Sequence, residues 1–226
     1  MTIGTPHYLF YDTETSGLPL YRDPSEDPRQ PHVVDLAMIL TDADGGIVSQ
    51  FESLIRPDGW VIPQETSDIH GITTETALAQ GQPEELVVAK FLETQALAAC
   101  RVGHNEAFDQ RMLRIAIKRF GGRTQEERDN IADLFKARPR FCTMNNSKPI
   151  MKLPPTARMN KSWFKPPKLA EAYAFFFPGE TIDGAHRAMA DARATMRVFF
   201  ALKARMEADG TWVDPTIAAA GEGDEG

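Results

Sequence analysis

Four apolar residues in a row, Tyr8-Leu9-Phe10-Tyr11, run into Asp12-Thr13-Glu14 and stop at Ser16-Gly17. That pattern predicts a buried strand ending in a loop. A proline-rich, acidic loop follows over residues 19 to 32. Val33 to Thr41 reads as a second strand and Ile47 to Arg56 as a third, joined by Asp42-Ala43-Asp44-Gly45-Gly46, a hairpin turn that makes the two antiparallel. Ser67 to Thr73 reads as a loop. Residues 83 to 98 carry Leu86, Ala89, Lys90, Phe91 and Leu97 behind Pro83, which predicts an amphipathic helix. Val102-Gly103-His104 has the look of a strand end. Asn105 is placed to cap a helix over Glu106 to Phe120, whose Phe108, Met112, Leu113, Ala116 and Phe120 form the inward stripe. A further helix over Thr124 to Lys136 and a short strand near Phe141 to Met144 come next. The last periodic segment runs from about His186 to Met206, with Ala188, Val198, Phe199, Leu202 and Met206 facing inward.

Antiparallel strands followed by strands alternating with helices predict an α/β fold, a mixed sheet flanked by helices. Residues 1 to 209 read as one domain and 210 to 226 as a small, acidic, flexible tail.

Composition narrows the class. With 226 residues, 42% hydrophobic and 25% charged, the chain is neither fibrous nor disordered. Its longest aliphatic run, Leu36 to Leu40, is far short of the roughly 20 residues of a membrane helix. The first residues show no secretory signal, and two cysteines, Cys100 and Cys142, make no disulfide framework, so a reducing cytoplasm is expected. A net charge of −7 excludes an all-over basic coat but not a local basic path.

Candidate chemistry begins with Asp12 and Glu14. Residues two apart in a strand share a face, so the two carboxylates sit on one side about 7 Å apart. They stand at the C-terminal end of an apolar strand, where α/β sheets place their sites. Asp109 falls in line with Met112, Ala116 and Phe120, and Asp191 with Ala188, Thr195, Val198 and Leu202. A first-turn acid is favoured by the helix dipole, which explains its position along the axis but not its inward azimuth. Inward acids need protonation, a basic partner or a metal. No Lys or Arg lies on the same inward stripes, and all-oxygen ligation suits Mg²⁺ or Mn²⁺. Two such ions clamp the attacking and leaving oxygens of a phosphodiester during in-line displacement. The spacing His-x4-Asp recurs at His7 and Asp12, His104 and Asp109, and His186 and Asp191, so it cannot select a base by itself. His7 lies too far along its strand, and His104 reads as a hydrogen-bonded structural residue. His186 follows the flexible Asp183-Gly184-Ala185 and is the candidate general base.

These residues resemble the DEDDh family of 3′–5′ exonucleases, which includes the proofreading epsilon subunit of bacterial DNA polymerase III. The resemblance rests on Phe10-Tyr11-Asp12-Thr13-Glu14-Thr15-Ser16-Gly17, His104-Asn105-Glu106-Ala107-Phe108-Asp109 and His186-Arg187-Ala188-Met189-Ala190-Asp191-Ala192, with Ile69-His70-Gly71-Ile72-Thr73 similar to the segment after the third strand. It implies an RNase H-like fold with a five-stranded mixed sheet whose first three strands are antiparallel. It also implies that Asp12, Glu14, Asp109 and Asp191 hold two Mg²⁺ or Mn²⁺ ions and that His186 activates the water. Thr13 and Thr15 would meet the terminal nucleotide, with Leu18, His70, Phe108 and Asn105 around its base and sugar. The loop at 19 to 32 and a long segment before the last helices depart from the family pattern.

From Leu134 to Ala170 the chain has nine Lys or Arg and no acid. Prolines at 149, 154, 155, 166 and 167 predict that most of this segment is loop. Lys161, Trp163 and Lys165 are the candidate contacts to a polynucleotide, through phosphates and base stacking; the alternative is a solvated loop with Trp163 against the core. The expected partner is a nucleic-acid 3′ end, DNA in preference to RNA, with a polymerase or repair partner and the oligomeric state left open. The rival functions are an RNA-trimming exoribonuclease of the same family and a non-catalytic module that holds 3′ ends.

Overall fold

The structure, a computed structural model, describes residues 4–160 and 162–218. Lys161 and the acidic stretch after residue 218 lie outside the described residues. The chain forms β1 (Tyr8–Thr15), β2 (Val33–Thr41), β3 (Ile47–Leu54), α1 (Gln64–His70), α2 (Thr74–Gln80), α3 (Glu84–Leu97) and β4 (Cys100–Gly103). It continues through α4 (Glu106–Phe120), α5 (Gln125–Ala137), β5 (Arg140–Cys142), α6 (Thr143–Met151), α7 (Leu169–Phe176), α8 (Ala188–Ala208) and α9 (Pro215–Ala218). The sheet has five strands in the order β3-β2-β1-β4-β5. β1 pairs antiparallel with β2 and β2 with β3, whereas β4 runs parallel to both β1 and β5. This is the expected mixed sheet with its first three strands antiparallel.

Alternation along β1 sorts the core into two layers. Leu9 and Tyr11 point to the side covered by α3, α4 and α5, where they meet Phe91, Met112 and Phe135. Tyr8 and Phe10 point the other way, onto Ala188, Ala192, Phe199 and Leu202 of α8. Asp12 and Glu14 continue the second face and Thr13 the first. β1 is therefore the central strand, and its two faces deliver different side chains at the same end.

Three expectations are corrected. Ser67 to His70 belong to helix α1, closed by Gly71 in the left-handed region at φ 72°, and not to a loop. On α3 the inward residues are Val87, Val88 and Phe91, while Leu86 and Leu97 stand exposed. Within the basic segment residues 143–151 form α6 despite Pro149, whose cost, one lost hydrogen bond and crowding of the Asn145 carbonyl, falls near the end of the helix. After α8, Trp212 packs on Phe141 and Phe199. Among the described residues no helix is long and apolar enough to cross a membrane.

Candidate active site

Three acids meet at the open end of β1. Asp12, Glu14 and Asp191 each offer an oxygen, and these atoms lie within 4.8 Å of one another. The first two come from the face of β1 that looks toward α8, and Asp191 from the first turn of α8 itself. Asp109 reaches the same end of the strand from the other side of the sheet. It is almost fully buried, and its Oδ1 accepts the Thr13 backbone N–H at 3.0 Å and the Thr13 hydroxyl at 2.8 Å. It stands outside the group of three, although its charge acts on Asp12.

The electrostatics are those of crowded acids whose repulsion and burial outweigh the partial counter-charge that Arg187 gives Glu14. Burial, followed by the charges of Asp109, Asp191 and Glu14, pushes the Asp12 carboxyl well above the usual range. Burial and then Asp191 push Glu14 up to about 8. Asp109 is raised to about 7 by burial, against the lowering effect of the two Thr13 hydrogen bonds. Asp191 is also raised by burial, with the His186 backbone N–H, 3.3 Å from Oδ2, acting in the opposite sense. Among the described residues none of the four is ion-paired with Lys or Arg. Arg187 pairs instead with Asp35, its Nε 3.3 Å from Oδ2, and with Glu52, its Nη2 3.6 Å from Oε1. Clustered, half-buried carboxylates with no ion-pair partner are the donor set of a hard divalent cation, so Asp12, Glu14 and Asp191 fit a metal centre, with the buried Asp109 alongside.

The sequence profile of the RNase_T family, described as an exonuclease, matches residues 9–199. The chain belongs to this exonuclease family. It is 28% identical over 201 residues to the PolC-type DNA polymerase III of Lacticaseibacillus paracasei, covering 89% of this chain and 12% of that one. It is 28% identical over 194 residues to the DNA polymerase III epsilon subunit of Aquifex aeolicus, covering 85% of this chain and 78% of the subunit. The chain thus spans only about a tenth of the length of its polymerase relatives. Its fold is that of E. coli exonuclease I, solved in a zinc-bound complex with single-stranded DNA, with a TM-score of 0.68 and 21% identity over 90% of this chain and 41% of that one.

His186 lies exposed at the entry to α8, five residues before Asp191, with a positive φ of 65°. Gly184 before it has φ 71°, so the backbone turns sharply twice here, and the His186 backbone N–H comes within 3.3 Å of Asp191 Oδ2. A non-glycine residue in this region costs about 1–2 kcal/mol, which the surrounding contacts must offset. His104, by contrast, is locked: Nδ1 lies 2.9 Å from the Thr143 hydroxyl and Nε2 3.0 Å from the Pro167 carbonyl, and burial lowers its pKa.

The residues expected around a nucleotide divide. Leu18 is 75% exposed and lines a cavity of about 380 Å³ with Gly17, Pro31, Trp60 and Val61. Thr15 is half-buried and its hydroxyl donates to the Gly17 carbonyl at 2.9 Å. His70 is buried, with Nδ1 accepting the Ile72 N–H at 3.1 Å and burial lowering its pKa. Phe108 is half-buried against the α4 side of the core. Thr13 is buried, and its hydroxyl donates to Asp109, which positions that acid. Asn105 is exposed in a left-handed conformation and makes no side-chain capping bond, so α4 begins without the cap its sequence predicts. In the basic segment Trp163 is 62% exposed, not against the core, whereas Lys165 pairs with Glu171.

Sequence reasoning missed Asp35. It faces α8 from β2 directly opposite Glu14 and is fully buried. The signal was present: a lone carboxylate in the strand Val33–Thr41, every residue of which is buried. It also missed the buried Arg101, whose guanidinium lies 4.0 Å from the centre of the Phe135 ring and 3.4 Å from Glu106, which in turn accepts from the Tyr11 hydroxyl at 2.8 Å.

Proposed function

We propose that this exonuclease removes nucleoside monophosphates one at a time from the 3′ end of single-stranded or frayed DNA. The observation that carries the reading is the convergence of Asp12, Glu14 and Asp191 within 4.8 Å, with Asp109 beside them and, among the described residues, no Lys or Arg ion-paired to them. Two Mg²⁺ or Mn²⁺ ions held by these acids would neutralise the carboxylates and stabilise the charge that builds up on the phosphoryl oxygens.

The chain's own residues do the rest. His186 accepts a proton from the attacking water, and its exposed position leaves that proton free to pass to solvent. Thr13 fixes the rotamer of Asp109 through two hydrogen bonds. Leu18 and Phe108 offer apolar surface to the terminal base and sugar, with Thr15, His70 and Asn105 around them. Trp163, aided by Lys161 and Lys165, takes the strand upstream of the reacting end by stacking and phosphate contact. A polymerase or repair complex is the proposed setting, by analogy with the epsilon and PolC-type relatives, and both cysteines are free, as suits a reducing cytoplasm.

A 5′-labelled oligodeoxynucleotide and its RNA counterpart, each incubated with Mg²⁺ or EDTA, test the reading. A ladder shortened from the 3′ end, dependent on metal and faster for DNA, is expected. Asp12→Ala should cut turnover by on the order of 10³-fold while the protein stays folded, since several kcal/mol of transition-state stabilisation goes with the site. Full activity in that variant would sink the proposal, and a faster RNA ladder would transfer it to the RNA-trimming branch.

A further inference from the structure

On the side of α4 turned away from Asp109, a cavity of about 240 Å³ is lined by Tyr21, Ala107, Gln110, Arg111, Arg114 and Lys136. At about 100° per residue, Arg111 and Arg114 lie across the helix from Asp109, so this cavity is separate from the acid cluster. Its polar lining is almost entirely donors. The Gln110 Oε1 accepts from Arg140 Nη1 at 2.8 Å, which leaves the Gln110 Nε2 buried and without an acceptor. Arg111 donates to the Ser25 hydroxyl at 2.7 Å and to the Asp23 carbonyl at 2.6 Å. Arg114 donates to the same hydroxyl at 3.1 Å and to Asp133 at 2.8 Å. Both arginines keep a buried Nε with no partner. Two guanidinium groups on one serine repel each other, and burial and then Arg114 hold the Arg111 pKa below its usual range. Asp133 is largely exposed and Glu26 lies near Arg111, but neither bonds the three orphaned donors.

A buried donor without an acceptor costs free energy, which an oxygen-rich ligand would recover if it drew the Gln110 amide and the two guanidinium edges round toward the cavity. We propose that this cavity binds a phosphate group, with Gln110, Arg111, Arg114 and Lys136 as donors and the exposed Tyr21 ring at its mouth. The phosphate belongs to a mononucleotide or to the backbone of a polynucleotide; the chemistry is shared, and length dependence separates the two.

The full chain is titrated in EDTA, where the uncompensated acids repel anions, with inorganic phosphate, a nucleoside monophosphate and oligonucleotides of increasing length. The readouts are the Gln110 side-chain amide signals and the melting temperature. Phosphate should shift those signals and raise the melting temperature. Lys136→Glu, at an exposed position, should weaken phosphate at least tenfold. Gln110→Glu should abolish the response and raise the melting temperature in phosphate-free buffer, because it builds the missing anion into the protein. Affinity that climbs with oligonucleotide length identifies a backbone phosphate, and equal affinity for the monophosphate identifies a free nucleotide. No movement of the Gln110 signals, or an unaltered response in Lys136→Glu, overturns the site.

Discussion

Thr13 and Glu14 are neighbours in β1 yet serve opposite layers, and that alternation is what lets acids from two helices meet on one strand. Asp191 comes from the α8 side, with one long bond from the His186 backbone N–H, and Asp109 from the α4 side, held by two bonds from Thr13. Asp35 extends the same logic. It sits across the β1–β2 ladder from Glu14, and its partner Arg187 immediately follows His186. The pair therefore ties the start of α8, and with it the imidazole, to the sheet. Arg187→Ala leaves a fully buried carboxylate unpaired. Because Arg187 is itself 47% exposed, the expected loss is modest, about 1–2 kcal/mol. Adding Asp35→Asn should return most of it, since the double variant removes the orphaned charge. Urea unfolding of the two singles and the double measures this, and additive losses would show that the pair contributes no coupling. The same Arg187→Ala change should lower kcat with little change in KM, because the ion pair holds the entry to α8 without touching the nucleotide.

At the scale of elements, Trp163 offers the sharpest separation of stability from binding. Its ring is exposed in the segment between α6 and α7, so Trp163→Ala should leave the melting temperature nearly unchanged, within about 0.5 kcal/mol. Loss of one stacked base is worth about 1–3 kcal/mol, so single-strand affinity should fall roughly tenfold or more. Gel-shift titration in EDTA shows whether it does; equal affinity would remove the segment from the strand path. The elements that carry the acids were legible because their patterns are strong. β1 and β2 are wholly apolar up to their functional ends, the hairpin before β3 has its Asp and Gly residues, and α4 and α8 carry long inward stripes. The elements that escaped have physical reasons for doing so. α1 buries only Ser67 and His70 of its seven residues, so it has no apolar period to read. α6 hides behind Pro149, and α3 has apolar residues all round, which blurs the choice between Leu86 and Val87. Asn105 shows the limit of capping rules: the side chain that should cap α4 is displaced because the turn out of β4 demands a left-handed residue there.

For the molecule as a whole, the acid cluster makes stability depend on pH and on metal together. Burial and neighbouring charge push Glu14 up to about 8, and burial pushes Asp109 up to about 7 in the folded chain, against ordinary carboxylate values of about 4 when unfolded. Between about pH 4 and pH 8 the folded state therefore holds protons that the unfolded state has released. Stability rises with pH only where the unfolded state binds more protons, so here it must fall as pH rises through this window. In EDTA the melting temperature should drop steadily from pH 5 to pH 8. Divalent cations compete with those protons, so added Mg²⁺ or Mn²⁺ should restore little at pH 5 and most at pH 8, with proton release on binding. Asp12→Asn removes one of the repelling charges and should flatten the EDTA slope while weakening the metal response. Scanning calorimetry across pH, with and without metal, reads both effects, and a metal-free melting temperature that rises toward pH 8 would mean that the carboxylates are not gathered as the structure places them.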